Sequence, residues 1–488
     1  MSAWAVSPVA VPLMTAVLTT LLQKRPAWQR IVSFGGAILF LACAVVLLVA
    51  ADAGQPVRSA FGGWALPFGI GFRIDRLGAA MVLVTAVMGL VCLIFQESDA
   101  DPGTPSAWRL PLVHGLLAGV GGAFSTADLF NLYVWFEVML ICALGLLSQG
   151  GRRLHMDGAF KYMALNLVGT LVLLASVALV YGASGSLAFP AIHQNWPSVP
   201  PQVAIPVLVM LQVAFLIKSG AFPVHGWLPP AYPVLPAPML ALFAGLLTKV
   251  GAYAVLRTMG DVFAPLDPTL FGLLGWVAVA TMTAGVLGAA YHWDMRRILA
   301  FHIISQIGYI LLAIALGNGQ GHAAALFYTI HHILVKANLF LVAAIVFRLT
   351  GSYDLRRIGG LYAVRPWVAL LFALPALSLV GVPPLSGFWS KLLVVQGTLA
   401  QDRLLWTAAA LLVSVLTLYS MMKIWMEAFW KAHPDAPDDR PWQPASGGRL
   451  WPAVLASALL SLLTLAISLN PQPLMAYAEA AARTLGGY

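Results

Sequence analysis

Two lysines stand inside consecutive apolar runs of this sequence, and the chain between them is interrupted where irregular backbone is least tolerated. Residues 211–257 read LQVAFLIKSGAFPVHGWLPPAYPVLPAPMLALFAGLLTKVGAYAVLR. Lys218 lies in the first apolar helix, which is broken at Ser219, Gly220 and Pro223 and followed by His225. A proline-rich run (Pro229, Pro230, Pro233, Pro236, Pro238) leads into a second apolar helix carrying Lys249. A lysine in hydrocarbon costs about 2.5–3.5 kcal/mol on insertion scales. Non-helical backbone at membrane depth is tolerated only where protein buries it or where it lines a wet cavity. Together these features point to an ion or proton path through a membrane. The plainer alternative, lysines snorkelling from helix ends to the interface, weakens as other intramembrane charges are counted.

The surrounding sequence supports a membrane setting. Of 488 residues, 60% are hydrophobic and 9% charged, against about 25% charged in soluble domains. Apolar runs near the ~20 residues needed to cross hydrocarbon fall at 4–23, 31–50, 74–95, 108–126, 128–148, 158–182, 203–222, 237–258, 268–291, 296–316, 321–348, 366–400, 403–430 and 451–469. The stretch 366–400 is one span broken at Pro383-Pro384, for the same reason as the break after Lys218. The expected fold is therefore an all-α polytopic membrane protein of about fourteen transmembrane helices, with broken helices in spans 7 and 12. With both termini on the outer side, 17 Lys and Arg fall in cytoplasmic connections and 6 in outer ones, Arg73 and Arg257 among the latter. That is the positive-inside bias, and it also accounts for the formal charge of +9 without nucleic acid. The expected location is the cell inner (plasma) membrane, and no cleavable signal peptide is evident. Cys43, Cys92 and Cys142 lie in apolar spans and read as small core residues. The segment 431–450 reads as a surface loop, and no long amphipathic helix is expected after the last span.

A weak internal repeat divides the chain. Residues 1–107 form an N-terminal three-helix segment, 108–258 a first five-helix repeat (spans 4–8), 259–430 a second (spans 9–13), and 431–488 a loop and the last span. Five spans is an odd number, so the two repeats must be inverted, an arrangement with broken helices near the midplane typical of transporters.

The candidate path residues follow from the same logic. Glu137 is the carboxylate near the middle of a span, and alone it would be costly, so it is expected to pair with Lys218. Burial disfavours the charged form of either group and pairing favours it, so a pair that opens and closes passes a proton. The competing reading is a static pin between two helices. In span 11, His332 and Lys336 share a helix face one turn apart, while His331 points about 100° away. Histidine titrates near neutrality and relays protons, though buried histidines also serve simply as hydrogen-bonded core. Lys391 follows the second break as a terminal carrier. His225 and His302 are candidates for inlet or relay, with packing the alternative for His302. Asp75 and Asp128 sit at span starts and read as helix caps. Gly119–Gly122 reads as close helix packing. No metal site, phosphate loop, triad or redox motif stands out, so no cofactor and no covalent chemistry are expected.

The motifs FEVML around Glu137, KSGAFPVHGWLPPAY, LLTKVGAYAVLR, HHILVKANLF and PPLSGFWSK resemble the antiporter-like subunits shared by multisubunit cation/proton antiporters and respiratory complex I. The likeness covers essentially the whole chain and is nearest to the D-type subunits of the Mrp (Mnh, Pha) antiporters. Lys391 departs from the complex I subunit type that carries Glu in the broken twelfth span. The chain also lacks the lateral helix and extra spans of the large A-type subunit. The resemblance implies that Glu137 and Lys218 switch, that Lys249 and the histidines bridge the membrane centre, and that Lys391 opens to the other side. It also implies assembly with the A, B, C, E, F and G subunits of such antiporters, the A-type subunit being the direct neighbour. Na+/H+ antiport is the activity implied. The alternative is a proton-pumping subunit of complex I or a membrane-bound hydrogenase, and a third reading is a scaffold whose charges only lock helices together.

Overall fold

The computed structural model describes residues 3–60, 64, 69–98, 107–436 and 449–485. In chain order come α1 (Ser7–Leu21), α2 (Pro26–Asp52), a hairpin of β1 (Val57–Ala60) and β2 (Gly71–Ile74), α3 (Arg76–Gln96), α4 (Arg109–Ser125), α5 (Leu129–Ser148) and α6 (Arg153–Ser184). Short α7 (Phe189–Asn195) precedes α8 (Pro201–Ser219), α9 (Leu228–Ala231), α10 (Ala237–Arg257), α11 (Pro268–Tyr291), α12 (Met295–Ile314) and α13 (Gly319–Thr350). Then follow α14 (Leu361–Val364), α15 (Pro366–Val380), α16 (Ser386–Ala400), α17 (Leu404–Trp425), α18 (Trp451–Leu469) and α19 (Gln472–Arg483). Twelve of the described helices are long and apolar enough to cross a membrane. With α4 and the broken pair α15/α16, the order and spacing are those of the fourteen expected spans. The Asp- and Pro-rich part of the loop at 431–450 falls at 437–448, outside the described residues.

Burial is distributed as a membrane solvent demands. Every residue of α10 from Pro238 to Arg257 is buried, as is α13 from Gly321 to Val346. These two helices pack on each other, and α12 lies against both. The peripheral α2 and α17 instead expose Ile31, Ile38, Val49, Leu405, Leu412 and Val415. Apolar exposure on that scale marks a lipid-facing surface. The Gly119–Gly122 run does serve close packing: a Cβ on Gly121 would lie 2.5 Å from Pro8 O, and one on Gly122 would enter the Trp135 indole.

Both breaks have the same local construction. α8 stops because Gly220 adopts φ 71°, and its amide donates back to Ile217 O at 3.1 Å; a cis Phe222-Pro223 bond follows. α15 stops at Gly381, φ 94°, and a cis Pro383-Pro384 bond follows. The first break is held against α10 at Gly251, where a Cβ would come 2.6 Å from Ser219 N and 2.9 Å from Lys218 C.

Three sequence expectations need amendment. Arg73 and Arg257 count with the outer connections in the sequence, but they are 7% and 3% exposed. At the end of α10 the helix loosens into a π turn, Thr258–Val262, that brings Asp261 back onto Arg257. Arg257 donates to Asp75 Oδ2 and Oδ1 (2.6 and 2.8 Å), to Asp261 Oδ2 (2.8 Å) and to the Tyr253 hydroxyl (2.9 and 3.2 Å). Arg73 Nη1 lies 3.9 Å from Asp261 Oδ2, so two cations face two carboxylates. Asp75 does cap α3, accepting from Gly78 N at 2.9 Å, but it is also half of this buried ion cluster. Asp128 caps α5 as expected, accepting from Asn131 N at 2.8 Å. Finally, a short amphipathic helix, the 12-residue α19, follows the last span. It buries Ala478 and Ala481, packs on α13 and α3, and Tyr477 donates to Arg76 O at 2.8 Å.

Removing one partner of a buried ion cluster leaves an unmatched charge, so Arg257→Met is expected to cost about 3–5 kcal/mol, read as a lowered melting temperature of the purified protein. Gly251→Ala forces α10 away from the first break and is expected to cost about 1–3 kcal/mol on the same measurement. A substitution at exposed Leu412 serves as the unaffected control.

Candidate functional site

The first cluster is assembled by α5, α6 and α8. Lys218 is in the last turn of α8, two residues before the glycine stop, and is 5% exposed. Its ammonium lies 4.0 Å from Glu137 Oε1 on α5. That separation is beyond a hydrogen bond, and the space is filled by Thr170 of α6. Lys218 Nζ donates to Thr170 Oγ1 at 2.7 Å, and Thr170 Oγ1 donates to Glu137 Oε1 at 2.6 Å. Lys218 Nζ also donates to Asn166 O at 3.2 Å, one turn back along α6. Gly169 permits this approach: a Cβ there would lie 2.8 Å from Ile217 Cγ2. Lys218 also borders a cavity of about 20 Å³ lined by Phe136, Met139 and Leu140 of α5, Asn166 of α6 and Leu247 of α10, enough for one water.

The centre is formed by α10, α12 and α13. Lys249 is fully buried and its ammonium donates to Ala244 O. Lys336 is fully buried, lies over the Phe340 ring at 5.8 Å, and its Nζ has no hydrogen-bond partner among the described residues. His332 is within electrostatic reach of Lys249, Lys336, His331 and His302, and neither of its ring nitrogens is hydrogen-bonded among the described residues. His302 is fully buried on α12, likewise without a hydrogen-bond partner among them, and within reach of Lys336, Lys391 and Lys423. It lies in the interior of α12, whose cap is Asp294. Buried polar atoms of this kind are ordinarily satisfied by water.

The third cluster sits at the second break. His331 Nδ1 and Ser386 Oγ are 2.8 Å apart, and Ser386 Oγ lies 2.9 Å from Ser378 Oγ. Lys391 folds back over Gly381, donating to Val380 O at 2.8 Å and to Ser414 Oγ at 3.1 Å. Ser414 in turn lies 2.8 Å from the Tyr309 hydroxyl, whose ring is beneath the Lys391 ammonium at 4.9 Å. His225 is half-buried beyond the first break, stacked on Phe222, and belongs to none of these clusters. At the membrane face opposite to the β-hairpin, a cavity of about 540 Å³ opens between Pro230, Pro233, Asp157, Asp294 and Arg297.

The hydroxyls of these clusters have no signal in the sequence. Thr170, Ser378, Ser386 and Ser414 carry no pattern that separates them from the many Thr and Ser that bond their own helix backbone. Among the described residues, no three His, Cys, Asp or Glu side chains converge in the manner of a metal site.

Comparison with known proteins agrees with this architecture. The sequence profile described as "NADH:quinone oxidoreductase/Mrp antiporter, TM" matches residues 126–417, which contain all three clusters. The chain is 37% identical to the D subunit of a Na(+)/H(+) antiporter from Alkalihalophilus pseudofirmus, over 87% of this chain and 86% of that protein. It is 32% identical to the Bacillus subtilis protein of the same name, over 99% and 97%. Its fold superposes on a chain of the Mrp complex from Dietzia sp. with a TM-score of 0.92 at 33% identity, covering 100% and 98%. With twelve long apolar helices, a lipid-facing exterior and this match, the protein is a multi-pass membrane protein that belongs to the NADH:quinone oxidoreductase/Mrp antiporter transmembrane family.

Proposed function

We propose that this chain is the D-type, proton-translocating subunit of a multisubunit Na+/H+ antiporter. The observation that carries the reading is the succession of ionisable groups on contiguous packed helices: half-buried Glu137 and buried Lys218, then Lys249 with His332 and Lys336, then His331 and Lys391. Burying unpaired amines is unfavourable for folding, so their retention along one route needs a use, and proton transfer is what amines and imidazoles do at such positions. Glu137 alone is a poor Na+ site, and the buried Asp75 and Asp261 are occupied by Arg257, so we place the cation route outside this chain. Protons move through the chain without covalent chemistry, and the gradient drives cation exit.

The 540 Å³ cavity beside the tail of the first break and the first turn of α12 suits an inlet leading towards His302. The basic residues concentrated at that face support a cytoplasmic location for it, with both termini outside and the chain in the cell's inner membrane. The glycine stops shared by the two breaks support the division at 108–258 and 259–430 into inverted repeats. Glu137 is 25% exposed on the outside of α5. A carboxylate there calls for cover, which suits a member of a larger complex with A, B, C, E, F and G subunits. The redox-pump alternative uses the same lysines and differs only in what drives them.

The test uses inside-out vesicles carrying the chain with its neighbouring subunits in cells lacking their own antiporters. With a preformed pH gradient, added Na+ is expected to release protons in wild type. Lys218→Ala and Lys391→Ala are each expected to reduce that release by at least about tenfold in a complex that still assembles on a native gel. Full activity in either assembled variant contradicts the reading. Proton movement that ignores Na+ but follows an added electron donor establishes the redox pump.

A further inference from the structure

We propose that the Thr170 hydroxyl is the relay through which a proton passes between Lys218 and Glu137, an inference that rests on the proton-path reading above. Threonine in the middle of a span ordinarily donates to the carbonyl four residues back, which satisfies its hydroxyl within the helix. This chain follows that habit: Thr85 bonds Met81 O, Thr329 bonds Ala325 O, Thr417 bonds Val413 O, Thr464 bonds Leu460 O, and on α6 itself Ser176 bonds Val172 O. Thr170 breaks it. The carbonyl four residues back, Asn166 O, accepts from Lys218, and the Thr170 hydroxyl donates to Glu137. Thr170 is 4% exposed and accepts from Lys218 with its remaining capacity. The hydroxyl is therefore oriented by the two ionisable groups and not by its own helix.

The result is a chain of donors pointing one way, from Lys218 Nζ through Thr170 Oγ1 to Glu137 Oε1, with links of 2.7 and 2.6 Å where the direct separation is 4.0 Å. The step balances within these three groups. An Nζ–H bond breaks as its proton joins Thr170 Oγ1, the Thr170 O–H bond breaks as its proton joins Glu137 Oε1, and Thr170 ends as the neutral hydroxyl it began. Lys218 becomes a neutral amine and Glu137 a neutral acid, which removes the attraction holding Lys218 to this side. Its amine then takes a new proton from the 20 Å³ cavity that it borders. Once Lys218 has passed that new proton onward and is again a neutral amine, the proton on Glu137 returns along the same three atoms and resets the pair. Gly169 is part of the device, since its missing side chain brings Ile217 and Lys218 within reach of α6.

The experiment compares wild type with Thr170→Val, Thr170→Ser and Lys218→Ala in the intact complex, by Na+-dependent proton release across pH. Valine keeps the shape and deletes the hydroxyl; serine keeps the hydroxyl. Thr170→Val is expected to lose at least about tenfold and to change its pH profile, with assembly and melting temperature unaltered, whereas Thr170→Ser retains most activity. A wild-type rate in Thr170→Val beside an inactive Lys218→Ala overturns the relay and leaves the path reading intact. Wild-type rates in both overturn the path itself. Equal loss in the valine and serine variants also overturns the relay, because it assigns Thr170 a packing role. If the valine variant does not assemble, Thr170→Cys, with bulk but only a weak hydrogen-bonding group, is read by the same criteria.

Discussion

The structure depends on how one helix, α10, handles positive charge in a low-dielectric interior. It carries Lys249 and, two turns on, Arg257, and both are buried. Arg257 is surrounded by Asp75, Asp261 and Tyr253, with Arg73 balancing the count, so its charge is fixed by neighbours drawn from α3, the hairpin and a π turn. Lys249 has a single backbone carbonyl as its hydrogen-bond partner and no ion pair among the described residues. An arginine so enclosed stays charged and holds helices together. A lysine left with so little changes its protonation state readily. The same helix thus contains an ion-paired cation and, in the proposed path, a lysine available for proton transfer, distinguished by what packs against them.

The remaining features serve that central helix. Gly251 admits the first break to within backbone contact, which places Lys218 beside α6 and α10 together. The glycine stops at 220 and 381 end two helices inside the protein and free the chain to present Lys218 and Lys391. α13 supplies His331, His332 and Lys336 from a stretch that is buried on every side, which keeps these groups away from bulk solvent. Apolar α2 and α17 expose their side chains as a lipid-facing surface.

Much of this was legible in the sequence, because the signals were local. Spans follow from the length of apolar runs, the breaks from Gly and Pro within them, and the buried ionisable side chains proposed as a path from their place at membrane depth. His332 and Lys336 needed only helix geometry. What stayed hidden depends on contacts distant in sequence. Arg257 and Asp75 are 182 residues apart, and each alone resembles an interfacial residue at a span end. Thr170 is one of many threonines in helices, and only its position between α5 and α8 separates it from those bonded to their own backbone. α19 is short and mixed in composition, with no apolar run to reveal it, and its place is set by packing on α13 and α3.

The most direct test of the central claim is Lys249→Leu in the assembled complex, with melting temperature and Na+-driven proton flux measured on the same reconstituted preparation. Leucine occupies similar space and removes a buried amine that no carboxylate compensates. The account expects a melting temperature equal to or above wild type together with loss of proton flux. A destabilised or dissociated complex would show that Lys249 is a structural pin, and an assembled complex with undiminished flux would show that the proton path does not pass through it.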